Sequence, residues 1–108
     1  MTTTNATTLD NANAASNTRG FDFFCESLRS AGVDPMDVTR TSGEAIAVAT
    51  RLRAEGRCPD VADAIAGYAI GLEYFEEAKA ARSEGERRAA IKHAVEWYER
   101  TFTQLALA

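Results

Sequence analysis

His93 is the only histidine in the chain, and Glu96 follows it three residues later. A histidine beside a carboxylate is raw material for acid/base chemistry or a metal site, because imidazole changes charge near neutral pH. The nearest metalloprotein pattern is the carboxylate two-metal bundle, which needs Glu-x-x-His on two facing helices. Here the order is His93-x-x-Glu96 and it occurs once, so the pair reads as solvated surface, and neither a metal nor a cofactor is expected. The chain has no Gly-x-Ser-x-Gly, His-Glu-x-x-His, phosphate loop or Cys-x-x-Cys, the short patterns that would carry nucleophilic, zinc, nucleotide or redox chemistry. It is read as non-enzymatic. Cys25 and Cys58 are the only cysteines. With no export signal beside them they are expected to stay reduced and to act as small apolar side chains.

The acidic residues offer binding chemistry instead. Glu73, Glu76 and Glu77 interrupt an apolar stretch, and Glu73 and Glu77 share a helical face at i, i+4. Like charges at that spacing weaken a helix only slightly, so a solvated face is the plain reading. Their surroundings support a second one. At a helical period Val61, Ile65, Tyr68, Leu72 and Phe75 form a broad stripe, and Ala64, Gly67, Gly71 and Ala78 form a small-residue seam beside it. Ile70 and Tyr74 fall opposite that stripe, next to Asp63, Glu73 and Glu77; an apolar centre inside an acidic rim suits a basic protein partner. The expected partner-binding residues are therefore Asp63, Ile70, Glu73, Tyr74, Glu76, Glu77 and, on the last helix, Trp97. Gly67 and Gly71 together cost about 2 kcal/mol of helix propensity against alanine, so close packing must offset them, within the chain or against another one.

These residues need helices to position them. Residues 1–17 are mostly Thr, Asn and Ala, with Leu9 their one large aliphatic side chain; they cannot bury enough surface to order themselves, and a flexible tail is expected. Phe21, Phe24, Cys25 and Leu28 recur at i, i+3, i+4, i+7 and predict a first helix over 19–31, stopped by Gly32 and leaving Phe23 on its far side. Asp34-Pro35 predicts a short helical turn to Arg40. Thr41-x-x-Glu44 has capping-box spacing and opens a second main helix with a core face of Ala45, Val48, Ala49 and Leu52, whose small side chains would suit the glycine seam. After Arg57-Cys58-Pro59, Asp60 is expected to cap the third helix. Ser83-x-x-Glu86 marks a turn before a last helix with Ile91, Ala94, Val95, Tyr98, Phe102 and Leu105 on one stripe. Ala90-x-x-x-Ala94 with Trp97-Tyr98 is similar to the second helix of a tetratricopeptide-type pair, but the chain holds no second copy and its glycines and prolines fall elsewhere.

The fold predicted is all-α: a tail over 1–17, then one domain over 18–108, a bundle of about four helices with a long C-terminal antiparallel hairpin. Its core would be Phe21, Phe24, Leu28, Leu52, Ile65, Leu72, Ile91, Val95, Tyr98 and Phe102. At 108 residues there is room for one domain. A net charge of −4 and a pI near 5.0 argue against direct nucleic-acid binding, which draws its affinity from basic surface. The start of the chain lacks the basic and apolar runs of a signal peptide, and no stretch is apolar for long enough to span a bilayer, so a cytoplasmic protein without membrane contact is expected. The function expected is a small acidic protein-binding module, by general analogy a mobile-element inhibitor such as an anti-CRISPR protein acting on a nucleic-acid-handling complex. The alternatives are a self-associating helical protein, a homodimer built on Ile70, Tyr74 and the glycine seam, and a small metal-binding or enzymatic bundle at His93.

Overall fold

Glycines in left-handed geometry close two of the main helices. A computed structural model describes residues 19–108 and contains, among the described residues, five helices and no strand. These are α1 (19–30), α2 (Met36–Thr39), α3 (Ser42–Ala54), α4 (Pro59–Lys79) and α5 (Glu84–Leu107). The chain is all-α, as its periodicity predicts. The tail expected over 1–17 lies outside the described residues. Gly32 takes a φ of 78° past α1, and Val33 N–H reaches back to Leu28 O at 2.9 Å. Gly56 does the same past α3 with a φ of 67°, Arg57 N–H donating to Leu52 O at 3.0 Å. Both are Schellman closures, which need a left-handed residue that glycine supplies without a Cβ clash.

The helix starts follow two patterns. Thr41 and Ser83 each accept the backbone N–H three residues on, from Glu44 and Glu86, as capping-box spacing predicts. The α4 start differs from expectation. Pro59 occupies the first helical position, where its missing N–H costs nothing and its φ is already helical, so the N-cap falls on Cys58 and Asp60 sits inside the first turn. Cys58 is held at φ 46°, the one non-glycine residue with positive φ among those described.

α3, α4 and α5 run antiparallel in sequence, and α1 and α2 close one side. Ser42 at the start of α3 bonds Glu76 near the end of α4, while Arg53 at the end of α3 pairs with Asp63 near the start of α4. α3 has 13 residues against 21 and 24 for α4 and α5, so at 1.5 Å per residue it covers about 20 Å of a hairpin over 30 Å long. The core fills the covered part. Phe24, Leu28, Val38, Leu52 and Ile65 are fully buried, and Phe24 stacks on Tyr68 with ring centroids 4.8 Å apart. Tyr68 in turn stacks on Tyr98 at 4.7 Å. Arg57 ties the α3–α4 loop to the end of α1 by donating to Ala31 O at 2.8 Å.

Three expectations are corrected by this arrangement. The small core face of α3 does not meet the glycine seam; α5 does. A Cβ on Gly71 would lie 2.4 Å from Cε1 of Tyr98, and one on Gly67 would lie 2.5 Å from Oγ1 of Thr101. The short loop between α4 and α5 makes them nearest neighbours, and the glycines let a ring and a hydroxyl lie against the α4 backbone. Ile91 is not core: it is 38% exposed, as Phe75 is 41% exposed, because both stand near the level at which α3 only begins, Ser42 bonding Glu76. Val95 and Tyr98 are half-buried rather than enclosed.

Candidate interaction surface

The hairpin has two flanks, and the aromatic contacts say which residues share each. Tyr68 and Tyr98 stack, so Tyr68–Leu72–Phe75 and Ile91–Val95–Tyr98 run along the flank that carries the core. Tyr74 meets His93, ring centroids 5.1 Å apart, and these two mark the opposite, outer flank. Ile70 lies one turn before Tyr74 on α4, and Trp97 lies one turn after His93 on α5. Ile70, Tyr74 and Trp97 are each half-buried. Their partial burial means that they are not a spot standing free in solvent.

The expected residues separate into two groups. Glu73 and Glu77 are exposed on α4, adjacent by helical spacing to Ile70 and Tyr74. Glu76 does not join them. Its carboxylate takes the backbone N–H of Ser42 at 3.1 Å and the Ser42 hydroxyl at 2.9 Å, so it serves as an anion at the N-terminus of α3. Asp63 pairs with Arg53 at 2.9 Å and lines a separate cleft of about 120 Å³ at the far end of the hairpin, with Asp60, Thr101 and Gln104. Trp97 carries Arg100 over its ring at 5.1 Å, and with His93, Glu96 and Arg100 it lines a shallow depression of about 260 Å³.

A larger depression, about 540 Å³, opens at the turn end of the same flank. Ala80, Ala81, Ala89 and Ala90 make its floor, Tyr74 and His93 its aromatic wall, and Glu77 and Glu86 contribute one carboxylate from each helix. His93 is not simply solvated. Its Nδ1 lies 3.3 Å from Oε1 of Glu96, which steadies the ring beside Tyr74. Glu86 is placed by the cap: its backbone N–H donates to Ser83 Oγ, and the residue lines the depression. On the solvent side of the α5 start, Glu84 is held below the usual carboxylate range, first by its hydrogen bond from Arg87, with Arg88 adding 3.3 Å away.

Glu86, Arg100 and the four alanines were not expected from the residues; His93 and Glu96, read as solvated surface, are both exposed. The missing signal was pairing across the hairpin: with the fold-back at 80–83, Tyr74 must come opposite His93. No group of three or more His, Cys, Asp or Glu side chains suited to a metal occurs among the described residues. No helix among them is long and apolar enough to cross a membrane. Neither a protein-family model, nor a curated protein, nor a solved structure matches this chain.

Proposed function

We propose that this chain is a protein-binding module whose contact surface is the outer flank of the α4–α5 hairpin, and that its partner presents a basic segment. One observation carries the reading: half-buried Tyr74 and Trp97 line two neighbouring depressions that share His93, with exposed Glu77 and Glu86 in the first and Glu96 in the second, while half-buried Ile70 and exposed Glu73 lie within one turn of Tyr74 on α4. Half-buried aromatics supply the apolar centre of an interface, and the acidic border supplies steering and choice of partner. The narrower reading is an inhibitor, of anti-CRISPR type or similar, whose carboxylates occupy a basic site that otherwise holds nucleic-acid phosphate. In that case a short oligonucleotide competes with this chain for the partner.

The test is a photo-crosslinking amino acid placed at Glu77 or Glu96, with a control at Arg51 on α3, in an extract of cells that express the chain. A partner captured from the first two positions and not from the third supports the outer flank. Trp97→Ala should then weaken that partner at least tenfold, about 1.4 kcal/mol or more. Capture from Arg51 alone rejects the assignment. Self-association, the alternative, loses its proposed seam, since Gly67 and Gly71 are filled by Thr101 and Tyr98. It is left with Ile70 and Tyr74, or with exposed Phe75 and Ile91, and a solution mass of twice the chain would favour it.

A further inference from the structure

The alanine-floored depression is shaped by what is missing from it. Four methyl groups, from Ala80 and Ala81 at the end of α4 and from Ala89 and Ala90 on α5, leave an open volume of about 540 Å³ where larger side chains would close the turn. The wall is the Tyr74–His93 pair, and the acids Glu77 and Glu86 come from opposite helices. Among the described residues no lysine or arginine lines it. An apolar floor, an aromatic wall and two carboxylates fit a long side chain with an apolar stem and a planar cationic head. A guanidinium meets both demands at once, because it stacks on a ring and bonds carboxylates through a fixed fork. The same flank already shows that pairing inside the chain, with Arg100 lying over Trp97 at 5.1 Å.

Resting on the protein-binding reading above, we infer that the depression between Tyr74, His93, Glu77 and Glu86 is the anchor pocket for an arginine side chain of the partner. The stem lies on the alanine methyls, the head reaches Glu77 and Glu86, and one face of the guanidinium meets the aromatic wall. Ile70 and Trp97, both on the side of the pocket away from the turn, then receive the residues that flank the arginine on that side.

The probe is N-acetyl-arginine-methylamide, with the citrulline analogue as its neutral near-isostere, titrated against the full chain while the alanine methyl and His93 ring signals are followed by NMR. Saturable shifts confined to Ala80, Ala81, Ala89, Ala90 and His93 are expected, with the citrulline compound at least fivefold weaker. E77Q with E86Q should weaken the arginine probe about tenfold, and because both side chains are exposed the melting temperature should hold. Ala89→Leu fills the floor without changing charge and should abolish the shifts; Ala89 is exposed as well, so the fold should survive. Equal binding of the citrulline compound overturns the inference. So do shifts spread over every acidic residue, or unchanged binding by the Ala89→Leu chain. A partner that crosslinks from the outer flank yet binds the E77Q/E86Q chain at full strength overturns the arginine anchor while the module reading stands. A partner that crosslinks only from Arg51 overturns both the outer-flank reading and the anchor role, even where the free arginine probe binds the pocket.

Discussion

Gly71→Ala offers the sharpest test of how the hairpin is built, because two opposing effects can be weighed from the structure. Alanine in place of glycine inside a helix contributes about 1 kcal/mol through backbone entropy and propensity. At Gly71 the new methyl would lie 2.4 Å from Cε1, 2.6 Å from Cδ1 and 3.1 Å from Cζ of Tyr98. Ordinary carbon contacts begin near 3.5 Å, so the ring must retreat by about 1 Å. Its retreat is blocked on one face, since Tyr68 stacks on it at 4.7 Å and is itself stacked against Phe24 at 4.8 Å. Overpacking of this kind costs about 1–3 kcal/mol, so the net effect is a loss of roughly 0–2 kcal/mol, centred near 1. Gly85→Ala is the internal control. It lies in the first turn of α5 with nothing within 4 Å of the new methyl, so only the gain remains. Urea unfolding followed by far-UV circular dichroism should therefore place the two variants on opposite sides of the parent. In a domain of this size each 1 kcal/mol corresponds to about 4–8 °C in melting temperature. Tyr98→Leu should remove most of the Gly71→Ala penalty in a double-mutant cycle. If Gly71→Ala stabilises as much as Gly85→Ala, the ring does not lie against that backbone and the hairpin packing described above is wrong.

Other perturbations test separate parts of the molecule. Phe102→Ala removes a ring in contact with Phe24, Tyr68 and Tyr98 and should cost about 3–5 kcal/mol in urea unfolding; a loss below about 1 kcal/mol would place that ring on the surface. Cys58→Gly relieves a left-handed residue at φ 46° worth about 1–2 kcal/mol, partly offset by unfolded-chain entropy, so the thermal midpoint should hold or rise, whereas Cys58→Val should lower it by several degrees. Burial raises the phenols of both Tyr68 and Tyr98, the latter to about 12, so the folded chain keeps these protons where the unfolded chain releases them. Stability is thus fully present below about pH 10 and lost as pH rises toward 12, and Tyr98→Phe should flatten the alkaline fall in melting temperature; an unchanged fall would remove Tyr98 as a cause.

Helix identity and most helix ends were legible in the residues, because glycine, proline and capping-box spacing act locally. Gly32, Gly56, Thr41 and Ser83 each do in space what their neighbours in sequence require. The α4 cap was misplaced by two residues, since Pro59 at the first helical position outcompetes Asp60 as a starting signal. Partners across helices were less legible. A small-residue seam announces close packing but not its occupant, and Tyr98 and Thr101 became visible only with the fold-back at 80–83. The exposure of Ile91 depends on the length of α3, a property of a different segment, so its own periodicity could not reveal it. On the outer flank, Ile70, Tyr74 and Trp97 stood out as large apolar side chains off the main stripe. Glu76 and Asp63 looked alike as carboxylates, yet Ser42 and Arg53 engage them.

Because α3 stops short, the two ends of the hairpin differ in how they can open. Near Gly67 and Phe102 the backbone amides of α4 and α5 lie beneath α1 and the aromatic cluster, so they become accessible to solvent only when the whole domain comes apart. From Tyr74 to the turn the two helices meet through Tyr74 and His93 and through alanines of both helices. That segment is expected to fray and reclose while the rest stays native. Amide hydrogen exchange would record it as a gradient of protection along each helix, falling toward the turn. Locking that end onto a second molecule would erase the gradient, coupling occupancy of the outer flank to the local stability of the turn.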